Sequence, residues 1–82
     1  GEINRKVEDS AAVLARVESK YAASGKADHL DGLTVDYDKW RFNVRISNTE
    51  PVVRLNVETR ADKKLLAEKT QELLEIIGGE EA

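Results

Sequence analysis

Cysteine is absent from this 82-residue chain, so neither a disulfide framework nor a thiolate metal site can form within it. Histidine is nearly absent: His29 is alone, with no second imidazole to build a histidine metal site. No run of about 18 apolar residues occurs, and no charged start leads into an apolar block. A membrane span and a signal peptide are therefore not expected, and the chain reads as soluble and cytoplasmic. Methionine is missing as well and the chain begins at Gly1, which reads as a piece excised from a longer product. Basic charge is in deficit, with 13 Lys and Arg against 16 Asp and Glu for a net charge of -3. That is the wrong sign for a domain that wraps a nucleic-acid backbone, so any anion site must be local.

What is present suits one small globular domain. Apolar residues make up 40% and charged residues 35%, well away from the apolar depletion of disordered chains. A chain of this length buries only about 60% of the surface that its unfolded form exposes, so the core must be thin.

Periodicity divides the chain into alternating patterns. Glu2 to Val7 alternates roughly, as a short edge strand does. Asp9 or Ser10 can cap a helix in which Val13, Leu14, Val17 and Tyr21 share a face, and Gly25 is expected to end it in a left-handed conformation. Lys26 to Tyr37 reads as a hairpin turning at Asp31-Gly32, a two-residue turn signal, with Leu33, Val35 and Tyr37 facing inward. From Trp40 to Ser47 the alternation is the cleanest in the chain: Trp40, Phe42, Val44 and Ile46 on one side, Arg41, Asn43, Arg45 and Ser47 on the other. Val53, Leu55 and Val57 repeat it against Arg54, Asn56 and Glu58. Asp62 caps a second helix with Leu66, Thr70, Leu73 and Ile77 in line, Gly78-Gly79 stops it, and residues 79–82 are expected to fray. The order strand, helix, four strands, helix predicts an α+β domain, an antiparallel sheet with both helices on one face. All 82 residues fall in that one domain.

The two cleanest strands are joined by a short loop and must pair antiparallel. Placing Val44 opposite Leu55 gathers every apolar residue on one face, and it sets Arg41 against Glu58, Asn43 against Asn56, and Arg45 against Arg54 on the other; a slip of two residues keeps the faces and changes the partners. Two arginines directly opposite each other repel unless a carboxylate or a bound anion sits between them. The adjoining loop adds the hydroxyls of Ser47 and Thr49, the amide of Asn48 and unpaired backbone N–H groups, which match a phosphate's acceptor oxygens. The pattern alone equally allows an ordinary hairpin turn in which Ser, Asn and Thr satisfy the backbone, the arginines lie in solvent, and Glu50 neutralises one of them. A free-standing anion-binding or phosphopeptide-binding module is also open. A nucleic-acid surface is disfavoured, because the alternation separates Trp40 and Phe42 from the arginines.

The 19 residues from Trp40 to Glu58 resemble the signature of the last domain of the α-D-phosphohexomutases, the family of phosphomannomutases and phosphoglucomutases. They match its Arg-x-Ser-Asn-Thr-Glu-Pro-x-x-Arg pattern at every defined position, and the flanking elements extend the likeness over nearly the whole chain. The resemblance implies a fold similar to the TATA-box-binding protein without a DNA-binding role. It implies that Arg45, Ser47, Asn48 and Thr49, supported by Arg54, hold the substrate phosphate that is not being transferred. Glu50 and Pro51 would shape the loop, proline by fixing its own φ and restricting the residue before it. Asn48, where glucosamine-type relatives tend to have glycine, resembles the bacterial phosphomannomutase branch, implying interconversion of mannose 6-phosphate and mannose 1-phosphate. The family's phosphoserine, its magnesium-binding aspartates and its sugar-recognition loop have no counterpart here. The chain is thus expected to hold no catalytic residue, metal or cofactor, to be inert alone, and to work with three further domains, magnesium being bound elsewhere in the full enzyme.

Overall fold

The computed structural model describes residues 2–47 and 49–82. Its elements, in chain order, are β1 (Glu2–Lys6), α1 (Ser10–Tyr21), β2 (Lys26–Asp28), β3 (Leu33–Asp36), β4 (Trp40–Ile46), β5 (Val52–Thr59), α2 (Lys63–Ile77) and β6 (Glu80–Glu81). The strands form one sheet in the order β2-β3-β4-β5-β1-β6, with every pair antiparallel. The architecture is the α+β arrangement that the alternation predicts, consistent with the TATA-box-binding-protein-like fold that the resemblance implies.

Both helices start where a carboxylate can take orphan backbone donors. Asp9 Oδ1 accepts from the Ala12 N–H at 3.1 Å, and Asp62 Oδ1 from the Leu65 N–H at 2.9 Å. Of the two candidate caps for α1, Asp9 serves and Ser10 becomes the first helical residue. Val13, Val17 and Tyr21 of α1, together with Leu73 and Ile77 of α2, meet Leu33, Val35, Phe42, Val44, Val53, Leu55 and Val57 of the sheet in a single core. One face of the sheet is thereby covered by both helices. Each such side chain contributes about 1.5–3 kcal/mol by leaving water, and cutting fully buried Phe42 back to alanine would cost about 3–5 kcal/mol. Trp40, which heads the apolar face of β4, is partly buried against this core and stacked on Tyr37 with centroids 4.6 Å apart.

Three expectations change. Helix α1 ends at Tyr21, before Gly25, and its C-cap Ala22 stays right-handed. The terminal carbonyl of Tyr21 is satisfied instead by the Ser24 N–H, the Ser24 hydroxyl and the Tyr37 hydroxyl, at 3.1, 3.1 and 2.9 Å. Gly25 answers a steric demand, since a Cβ there would lie 2.6 Å from Val35 Cγ1. The β2–β3 connection spans residues 29–32, longer than a two-residue turn, because Asp28 Oδ1 accepts from the Leu30 N–H at 2.7 Å and bends the chain early. The end of the chain, expected to fray, carries β6, in which Glu80 pairs with Lys6 and Glu81 with Arg5. Antiparallel backbone pairing to the free edge of β1 outweighs the polarity of those two residues.

Candidate functional site

The face of the sheet away from the helices carries three cross-strand rows of polar side chains. In the first, Lys26, Asp36, Arg41 and Glu58 lie opposite one another in turn. Charge alternates along it, and Arg41 Nε sits 3.3 Å from Asp36 Oδ1 and 3.9 Å from Glu58 Oε2. The middle row is Asp28, Thr34, Asn43, Asn56 and Glu2. Here the Asn43 amide donates to Thr34 Oγ1 at 3.0 Å and to the Asp31 carbonyl at 2.8 Å.

The third row holds Arg45 opposite Arg54, with Asn4 of β1 beyond. The predicted register between β4 and β5 is observed at every pair, from Arg41 against Glu58 to Ile46 against Val53. Both arginines are exposed. Asp31, in the turn between β2 and β3, places Oδ1 3.3 Å from Arg45 Nε. Among the described residues no carboxylate comes within 4.0 Å of an Arg54 nitrogen, and Glu50 forms no ion pair. Asn4 Oδ1, on Arg54's neighbour, is buried without a hydrogen-bond partner.

At the end of this row the β4–β5 loop is held on two sides. The Ser47 N–H donates to the Val52 carbonyl at 3.0 Å, and the Val7 N–H donates to the Pro51 carbonyl at 2.9 Å. Around Pro51 the Val52 N–H reaches back to the Glu50 carbonyl at 2.8 Å, a three-residue turn that the fixed φ of proline favours. Inside the loop Ser47 Oγ accepts from the N–H groups of Thr49 and Glu50 at 3.4 and 3.3 Å, and lies 3.5 Å from Thr49 Oγ1. These bonds are long, so the two N–H groups are weakly held donors that a stronger acceptor can recruit. Arg45, Ser47, Thr49, Glu50, Pro51 and Arg54 are thus brought together at one end of the open face. Asn48, the remaining expected ligand, lies outside the described residues.

The sequence marks Asp31 as a turn residue only. Its neighbour in space is set by β3 lying on β4: Leu33 pairs with Val44, so Gly32 falls beside Arg45 and Asp31 follows just past the strand end. Gly32 has φ +69°, and a Cβ there would be 3.1 Å from Arg45 Cα and in collision with the Val44 carbonyl oxygen. Glycine is what allows the turn to lie flat against β4.

The geometry is that of a small α+β domain with a hydroxyl-bearing loop beside two opposed strand arginines at one end of its uncovered sheet face. Residues 2–76 match the family described as "Phosphoglucomutase/phosphomannomutase, C-terminal domain", and the chain belongs to that family. It is 51% identical over 78 residues to a phosphomannomutase of Escherichia coli, covering 94% of this chain and 17% of that protein. It is also 51% identical over 80 residues to a protein named "Phosphohexose mutases" from Xanthomonas campestris pv. campestris, covering 96% of this chain and 18% of that one. A phosphomannomutase of Methanocaldococcus jannaschii is 36% identical over 77 residues, again 94% of this chain and 17% of the relative. The chain therefore spans less than a fifth of the curated relatives' length.

Proposed function

We propose that this chain is the phosphate-gripping domain of a phosphomannomutase that interconverts mannose 6-phosphate and mannose 1-phosphate. The observation that carries the proposal is the pairing of Arg45 with Arg54 beside the Ser47–Pro51 loop. A like-charged pair that costs stability in the empty domain is repaid when an anion binds between the two guanidinium groups. The two forks offer paired N–H donors to phosphate oxygens, and the hydroxyls of Ser47 and Thr49 and the amide of Asn48 complete the shell. Ser47 Oγ would yield the N–H groups of Thr49 and Glu50 to the ligand.

Phosphoryl transfer itself is assigned to the rest of the full-length protein, and the domain alone to binding and orientation. The magnesium that the family implies is assigned, like the transfer itself, to the rest of the full-length protein, and no step here passes through it. Gripping the distal phosphate spends binding energy from a remote part of the substrate on positioning, on which this chemistry depends heavily. A broader hexose phosphate range is favoured by one observation: the Xanthomonas relative, named for hexoses in general, is as similar as the Escherichia coli phosphomannomutase. Among the described residues no helix is long and apolar enough to cross a membrane. The cytoplasm is the proposed compartment.

The test is a titration of the isotope-labelled chain with mannose 1-phosphate and glucose 1-phosphate, followed at the backbone amides. Shifts concentrated at residues 45–54 are expected. An unresponsive loop at millimolar ligand would remove the assignment, and the ratio of the two affinities ranks the sugars.

A further inference from the structure

Arg45 is not left to find its own conformation. We infer that Asp31 is a positioning residue for the phosphate clamp, holding the Arg45 side chain extended so that its terminal fork is ready for an anion; this rests on the phosphate-gripping role proposed above. Three observations carry it. First, the ion pair is made through Nε, at 3.3 Å, on the inner side of the guanidinium, so the two terminal nitrogens remain available for a bidentate contact. Second, Asp31 is itself anchored through its backbone: its carbonyl accepts from the Asn43 amide at 2.8 Å, the Leu30 N–H beside it is held by Asp28 Oδ1 at 2.7 Å, and Gly32 lies tight against β4. The carboxylate is thus placed by the fold even though its side chain is exposed. Third, the carboxylate meets one arginine of the pair and not the other, so the row keeps an excess positive charge in which Arg54 still calls for an anion.

An alternative role for Asp31 predicts the opposite sign. A carboxylate 3.3 Å from Arg45 could act as a stand-in anion that the substrate must displace, and removing it would then tighten binding. The contact through Nε argues for positioning, because a competing anion would take the terminal fork that phosphate needs.

The experiment compares Asp31→Asn, Asp31→Ala, Arg45→Ala and the double variant Asp31→Ala/Arg45→Ala in the full-length protein that carries this domain, with mannose 1-phosphate as substrate. Thermal melting checks folding, and Asp31→Asn, which keeps the size of the side chain and removes its charge, serves where Asp31→Ala melts early. Asp31→Ala is expected to raise KM about two- to tenfold, the cost of ordering one long side chain on binding, while kcat stays within about twofold because bound phosphate itself orders the fork. In the Arg45→Ala background the same substitution should change KM by less than about 1.5-fold, since nothing is left to position. If Arg45→Ala raises KM while Asp31→Ala leaves it unchanged or lowers it, the positioning role is overturned and the clamp survives. If Arg45→Ala leaves the kinetics unchanged, the clamp falls and this inference falls with it.

Discussion

The two ends of the open sheet face are built from the same residue types and reach opposite electrostatic outcomes. At the β3–β4 turn end, Arg41 lies between Asp36 and Glu58, and the shallow cavity beside it, of about 280 Å³, balances Lys39, Arg41 and Arg60 against Asp36, Asp38 and Glu58. At the β4–β5 loop end, two residues further along the same strand face, Arg45 confronts Arg54 and shares one carboxylate, Asp31. One end is neutralised within the chain and the other is left with charge to spare. An arginine on a sheet surface says little about function. The informative feature is whether the rows around it close their own charge balance, because an unbalanced row costs stability that a bound anion would offset.

The largest expected effect that could break this contrast is kinetic. In the full-length protein Arg45→Ala should lower kcat/KM for the hexose phosphate by about ten- to a hundredfold, the worth of one or two charge-assisted hydrogen bonds. Arg41→Ala, at the balanced end, should change it by less than about twofold. Equal losses from the two substitutions would erase the distinction.

A second measurement uses the covered face as a reference, through a polar pair that is closed inside the domain. The Tyr21 hydroxyl donates to Glu72 Oε1 at 2.6 Å. That bond holds the Glu72 carboxyl below its ordinary value of 4.5, against burial, with Lys69 assisting. A carboxyl depressed in the folded state adds stability above its unfolded pKa and loses it as pH falls through the folded one. Unfolding of this chain in urea should therefore show stability declining below about pH 4.5, and Tyr21→Phe should flatten that decline and cost about 1 kcal/mol at pH 7, with allowance for the part-exposed carboxylate. An unchanged acid limb would mean that the pair is not coupled.

The smallest effect sharpens the contrast by sign. Arg54→Gln relieves a like-charged pair and should stabilise the isolated chain by about 0.2–1 kcal/mol at low salt, whereas Arg41→Gln opens two ion pairs and should destabilise it by a similar amount. Both changes should shrink at high salt as the charges are screened. The same sign for the two substitutions would contradict the difference between the rows.

Much of the fold is legible along the chain because its strongest patterns are local. Alternation from Trp40 to Ile46 and from Val52 to Thr59 assigns each side chain a face, but a slip of two residues buries the same side chains, so burial narrows the register and the loop between the strands selects it. The opposition of Arg45 and Arg54 is the register that the loop then fixes. Helix starts are equally local, since a capping carboxylate needs only its own next three residues. Helix α1 and the β2–β3 turn were harder to bound: the carbonyl of Tyr21 is satisfied by a hydroxyl from Tyr37, 16 residues on, and the turn is drawn out by Asp28. No local window contains the first of those donors.

By itself, then, the amino-acid order determined the faces of the strands, the pairing of β4 with β5, and the clustering of Arg45, Ser47, Thr49 and Arg54 around one loop, all through period-two burial and a short connection. Tertiary structure decided the rest. The stacking of β3 on β4 brought Asp31 to Arg45 across 14 positions in the chain, and the free edge of β1 recruited Glu80 and Glu81 from the far end. Both depend on which strand edges lie side by side, a long-range outcome of burying one shared core that no local pattern encodes.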